Sequence, residues 1–277
     1  MNRFEGRVAL VSGAARGMGR NHALRLAEEG ADIIAFDICE NMSSLLYPLS
    51  TESDLAETVR LVEETGRRIV SGKADVRDLS AVQAVVERGV AEFGRLDVVS
   101  ANAGIVSLGL AHELSEDQWD QMIAVNLTGV WKTIRSAVPH MIDAGNGGSI
   151  VITSSTAGLV GLSANMAHYA SAKHGVVGLM RVLAKELAQY MIRVNCLHPT
   201  TVPTPMVNNA AVIGLFRPDL DAPELDDAID ALRELNVLPV PWVEMDDITS
   251  ALLWLASDEA RYVTSVSLPV DAGATQN

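Results

Sequence analysis

Val8-Ala9-Leu10-Val11-Ser12-Gly13-Ala14-Ala15-Arg16-Gly17-Met18-Gly19 is the stretch whose reading decides the fold. The apolar run from Val8 to Val11 is too short for a helix and stops at Ser12-Gly13, so it reads as a buried strand. Gly13 to Gly19, Met18 included, then turns into a helix with Ala23, Leu26 and Ala27 on its apolar face. Glycines there let backbone approach a pyrophosphate at the helix N-terminus. A second strand, Ala31-Asp32-Ile33-Ile34-Ala35-Phe36, ends in Asp37, about 20 residues beyond the turn, where a carboxylate takes the ribose hydroxyls of a dinucleotide. The same carboxylate repels a 2′-phosphate and favours NAD over NADP. Arg16 stays open between a cation for a 2′-phosphate and a solvated or phosphate-positioning side chain.

Outward from this unit, strand and helix signals alternate. Helices are expected near 52–64 and 79–93, with a third strand leading from Arg68-Ile69-Val70 to Ala74-Asp75-Val76. A strand over Leu96 to Ser100 runs into Asn102-Ala103-Gly104, and a long helical region near 115–143 carries Asn126. Strands from Ser149 to Thr153, Ile192 to Leu197 and Ser265 to Val270, with a last helix near 246–256, complete the alternation. It implies right-handed βαβ crossovers and a doubly wound parallel sheet in one domain over 1–277. Two stretches break the rhythm. Residues 38–51 form an insertion whose Leu45, Leu46, Tyr47 and Leu49 are too apolar for a free loop and suggest a flap, with Ile38 at its root. Residues 205–240 are punctuated by proline, hold one amphipathic segment near 223–236, and read as a cover over a pocket.

Tyr169 and Lys173 lie at i and i+4 of a helical pattern continued by Val176, Val177, Met180 and Leu187, so their side chains can meet. An ammonium near a phenol favours the phenolate, which makes Tyr169 a candidate acid/base. A surface Tyr beside a solvated Lys has the same spacing. Ser155 stands at the carboxyl end of its strand, where ligands sit in such sheets. The 277 residues carry a net charge of −14, which argues against nucleic acid or an anionic membrane surface as partner. No run resembles a membrane span. Two distant cysteines, Cys39 and Cys196, without a secretory leader read as reduced thiols in a cytoplasmic protein. The histidines have no metal-ligand spacing; His168 and His174, flanking the Tyr–Lys pair, suit packing or pocket lining.

Gly13/Gly17/Gly19, Asp75-Val76, Asn102-Ala103-Gly104, Asn126, Ser155, Tyr169 and Lys173 together resemble the short-chain dehydrogenase/reductase family over essentially the whole chain. Tyr47-Pro48-Leu49, Ala167-His168-Tyr169, His198-Pro199-Thr200 and Leu268 to Gly273 look like its mycofactocin-coupled, carveol-dehydrogenase-like subfamily. The resemblance implies a Rossmann-like sheet of about seven strands and a homotetramer with the Asn126 and Tyr169 helices at one interface. It makes Tyr169 the general acid/base and Lys173 the ligand of the nicotinamide ribose that also depresses the Tyr169 pKa. Ser155 would orient the substrate oxygen, and Asn126 would hold a water relay. Ser155 is preferred to Ser154 because Ala157-Gly158 follows at the family's offset. NAD would lie along the glycines, Arg16, Asp37, Ile38, Asp75, Val76 and Asn102 to Gly104, with Pro199, Val202, Thr204 and Met206 at its nicotinamide end. The chain departs from the family at Ser12, Thr200 and Ser265, the last in place of a glycine whose loss bears on a turn or a subunit contact. The expected activity is hydride transfer between an apolar secondary alcohol or ketone and tightly bound NAD, reoxidised in place by a mycofactocin-type electron carrier. An exchangeable NAD(P)-dependent ketone or ketoacyl reductase and a catalytically silent dinucleotide-binding protein are the alternatives. Substrate choice would reside in loops 105–114, 156–168 and 206–240.

Overall fold

Residues 2–161 and 163–276 are described by a computed structural model; Leu162, in the 156–168 loop, lies outside the described residues. Seven parallel strands, β1 (Val8–Ser12), β2 (Asp32–Asp37), β3 (Ile69–Lys73), β4 (Val98–Ala101), β5 (Gly148–Thr153), β6 (Ile192–Pro199) and β7 (Ser267–Val270), lie in the order β3-β2-β1-β4-β5-β6-β7. Alternate side chains feed two cores. Val8, Leu10, Ile34, Phe36, Ile150 and Ile152 face one cluster with Val82, Ile134 and Met180 from α3 (Leu79–Phe93), α5 (Val130–Ala144) and α6 (Ala167–Glu186). Ala9, Val11, Ile33, Ala35 and Val151 face the other, against α1 (Gly17–Glu28) and α9 (Met245–Ala256) through Ala23, Leu26 and Leu252. Strands buried on both faces read as continuous apolar runs, which is why β1 and β2 look as they do in sequence.

β1 pairs with β2 on one side and with β4 on the other, so the strand order reverses there. A crevice opens beyond the carboxyl ends of strands at such a switch point, and ligands bind in it.

Several elements differ from expectation. The third strand ends at Lys73; Ala74, Asp75 and Val76 leave the sheet and line the crevice instead. The expected helix over 115–143 is three pieces: α4 (Glu116–Ile123), a π-helical segment Ala124–Gly129, and α5. Widened turns of this kind cluster at functional sites, and this one contains Asn126. The segment near 223–236 holds only a short 3₁₀ turn, Leu225–Ala228, and one helical turn, Ile229–Arg233. β7 begins at Ser267 because Ser265 has φ +62, the left-handed region that a glycine would fill without strain. A non-glycine residue is held there at a cost of roughly 1–2 kcal/mol.

Candidate active site

The turn after β1 and the loop after β4 are clamped together by the Ser12 hydroxyl. It accepts the backbone N–H of Asn102 at 3.0 Å and of Ala103 at 3.1 Å. The Asn102 amide in turn donates to the Ser12 and Gly13 carbonyls. Ser12 therefore supplies the hydroxyl that joins the two loops. A Cβ on Gly19 would fall 1.9 Å from the Gly13 oxygen, so no other residue fits without moving the turn.

The resulting cleft is lined by Gly13, Arg16, Gly17, Met18, Gly19, Asp37, Ile38, Asp75, Val76, Asn102, Ala103, Gly104, Thr204 and Met206. All were expected there. Phe36, Met42, Ser50, Ile105 and Val125 line it as well and were not singled out from sequence. Ser50 had no signal beyond membership of the insertion, while Ile105 follows the Asn-Ala-Gly turn directly. Pro199 and Val202 do not line the cleft; Val202 is packed in the second core, and its carbonyl accepts the Thr204 N–H at 2.7 Å. A glycine-floored crevice with a carboxylate at the end of β2 fits a dinucleotide.

The 38–51 insertion closes over this cleft with two of the four side chains expected, Tyr47 and Leu49, and not with Leu45 or Leu46. Tyr47 is 7% exposed, lines the cleft with Leu49, and its hydroxyl accepts the Val106 N–H at 3.1 Å. Leu46 is 85% exposed and faces solvent, and Leu45 packs on the first core. A turn at Ser43 and Ser44 and a bend at Leu46 and Tyr47 send these side chains in different directions.

Beside Gly104 at the edge of the cleft, the catalytic candidates converge at the carboxyl end of β5. Ser154 is buried and donates to the Lys173 carbonyl at 3.0 Å, fastening α6 to the sheet. Ser155 accepts the Ala157 N–H and is left as the hydroxyl near Tyr169. The Ser155 carbonyl faces His198 Nδ1 at 2.7 Å; a carbonyl only accepts, so Nδ1 carries the hydrogen. Lys173, 3% exposed, donates to the Thr153 carbonyl at 2.9 Å and sits 5.6 Å from the Tyr169 ring centre. A Cβ on Gly104 would meet Asn126 Oδ1 at 2.8 Å and Lys173 Nζ at 3.6 Å, so this glycine is what lets the two side chains approach. Asn126 is fully buried, taking the Ile105 N–H and returning a hydrogen bond to its carbonyl.

The electrostatics of the pair correct the expectation from spacing. Burial pushes the Tyr169 phenol above its usual value, with the Ser155 hydroxyl opposing. Burial also pulls the Lys173 pKa down to about 8, and its ammonium is turned to the Thr153 carbonyl and the ring face. His168 is fully buried, held to Ser107 Oγ at 2.8 Å, and its pKa is lowered by burial. It ties the 105–114 loop to the start of α6. Exposed His174 places Nδ1 against the Ala170 carbonyl of its own helix. Among the described residues no group of His, Cys, Asp or Glu could hold a metal, and no helix is long and apolar enough to cross a membrane.

Residues 7–212 match the family model described as short chain dehydrogenase. The (−)-trans-carveol dehydrogenase of Rhodococcus erythropolis is 53% identical, covering 99% of both chains. The crystal structure of a carveol dehydrogenase from Mycobacterium avium in complex with NAD superposes with a TM-score of 0.98 at 52% identity, over the full length of both chains. A short chain dehydrogenase from Mycobacterium paratuberculosis bound to NAD superposes with a TM-score of 0.91 at 42% identity, covering 99% of this chain and 100% of that one.

Proposed function

The chain belongs to the short-chain dehydrogenase family and is an NAD-dependent oxidoreductase, and we propose that it oxidises a carveol-like, apolar secondary alcohol, or reduces the matching ketone, without releasing its NAD. The observation that carries the reaction is the meeting of Ser155, Tyr169 and Lys173 beside the glycine-floored cleft. Bound NAD supplies the hydride acceptor. Tyr169 takes the hydroxyl proton as the carbonyl forms, and Ser155 holds the substrate oxygen beside it. Lys173 would hold the nicotinamide ribose, and Asn126 would hold a water relay behind it. Thr204, which lines the cleft against Gly17, would meet the nicotinamide amide. Val106, Ile105 and the loops 105–114 and 206–240 present the apolar surface for the substrate.

Retention of NAD is supported by the strap across the cleft, where Tyr47 and Leu49 lie over it. Burying such a side chain is worth about 1.5–3 kcal/mol, and about 1.4 kcal/mol slows release tenfold when it appears wholly in dissociation. Reoxidation in place by a mycofactocin-type carrier would then complete the cycle. Protein purified without added nucleotide should release NAD on denaturation and should oxidise alcohol with an artificial electron acceptor. Empty protein that turns over readily with free NAD would refute retention and leave an exchangeable dehydrogenase.

The same reading takes the chain to be a cytoplasmic homotetramer. Trp131 on α5 is 39% exposed and Val182 on α6 is 54% exposed, apolar surface suited to a contact between copies. Light scattering should give four subunits, and a monomer would contradict it.

A further inference from the structure

Three cations around the end of β2, Arg16, Arg20 and Lys73, are committed to the protein itself. Arg16 Nη2 donates to the Pro48 carbonyl of the insertion at 2.5 Å. Arg20 donates to the Ala15 and Asp54 carbonyls and to Thr58 Oγ1. Lys73, which pairs in register with Asp37, forms ion pairs with Glu40 at 3.1 Å and Glu52 at 3.9 Å. The Asp37 carboxylate, meanwhile, is held from both sides of the cleft mouth. Oδ2 accepts the Ala15 N–H of the glycine turn at 2.9 Å. Oδ1 accepts the Ser50 hydroxyl at 2.5 Å and the Cys39 N–H at 3.4 Å. A carboxylate offers about four lone-pair sites, so three are taken by the fold. Ser50 and Asp37 are both buried.

We propose that Arg16 is the latch holding the 38–51 flap to the glycine turn, not a cation for a 2′-phosphate, and that Ser50 sets the Asp37 carboxylate, so that the flap itself selects NAD over NADP. A guanidinium bonded to a carbonyl has a charge-assisted contact to give up before it can serve a phosphate. A 2′-phosphate entering this mouth meets the Asp37 carboxylate and the negative end of the Pro48 carbonyl. A ribose hydroxyl entering it finds an acceptor already oriented by Ser50 and Ala15. The two contacts lie two residues apart on the strap, so closing the flap and orienting the carboxylate are one event. The inference needs NAD as cofactor but does not depend on NAD being retained or on any carrier.

The test compares wild type with Arg16→Ala, Ser50→Ala and Ser50→Thr. Each is incubated with excess isotope-labelled NAD or NADP, and bound nucleotide is followed by mass spectrometry. Rates and occupancies are read as ratios of variant to wild type, so they are informative whether wild-type exchange takes seconds or days. Arg16→Ala should exchange NAD about tenfold faster or more while its share of NADP does not fall. Ser50→Ala should move the NAD to NADP occupancy ratio towards NADP by roughly tenfold, and Ser50→Thr, which keeps the hydroxyl, should restore it. An unchanged exchange rate in Arg16→Ala, or a loss of NADP greater than the loss of NAD, overturns the latch. An unchanged occupancy ratio in Ser50→Ala overturns the role of Ser50.

Discussion

Tyr169→Phe turns over between about 10²- and 10⁴-fold more slowly than wild type and still carries NAD, because the substitution deletes a positioned acid/base while keeping the ring. The ring is the part that packs on the first core, and Lys173 lies over its face, so cofactor content and melting behaviour should change little. The pH profile sharpens the expectation. Burial raises the phenol's pKa, so the protonated form dominates at neutral pH, ready to protonate a ketone. Alcohol oxidation needs the group to accept a proton and should therefore rise with pH from neutral into the alkaline range, while ketone reduction falls. Steady-state rates in both directions across pH check this. Near wild-type rates in Tyr169→Phe, or an unchanged oxidation profile in it, would remove Tyr169 from the chemistry.

Lys173→Met loses more than about a hundredfold in turnover and binds NAD more weakly, yet becomes the relatively more stable protein at neutral pH than at alkaline pH. The rate loss follows from removing a fixed charge in a water-poor site. The stability effect follows from burial, which lowers the Lys173 pKa from 10.5 to about 8. Between those values the unfolded chain holds more protons than the folded one, so this group's contribution to stability rises with pH. At about 1.4 kcal/mol per unit, the wild type should gain roughly 2–3 kcal/mol on the variant between pH 7 and pH 10. Loss of the donor to the Thr153 carbonyl costs the variant about 1–3 kcal/mol at every pH, which sets the offset but not the slope. Urea midpoints across pH measure it. A wild-type-minus-variant difference that does not vary with pH would show that the ammonium is not held against a desolvation penalty.

Much of the architecture was legible in the chain because it rests on local rules. Fully buried strands must be short apolar runs, a pyrophosphate turn must be glycine-rich, and a ribose acceptor must follow about 20 residues later. Those rules placed β1, β2, the cleft floor and Asp37 without any long-range information. Helical spacing put Tyr169 and Lys173 on one face, and the interruption of the strand-helix rhythm marked the 38–51 insertion.

What only the tertiary structure decided depends on how close and how deep those pieces end up. Spacing said that Lys173 reaches Tyr169; it could not say that the ammonium would be buried, turned to Thr153 and reduced to a pKa of about 8. The family offset preferred Ser155 to Ser154, but the physical reason came only with packing, in which Ser154 fastens to the Lys173 carbonyl across 19 residues of chain. The strap's composition implied a cover, but its facing was set by contacts to distant backbone, Tyr47 to Val106 and Arg16 to Pro48, leaving Leu46 outside. Periodicity is a property of neighbours along the chain, whereas desolvation and hydrogen-bond partnership are properties of neighbours in space. The fold class of this protein was therefore written in its sequence, and the charge states and partners of its site were decided only when the chain packed.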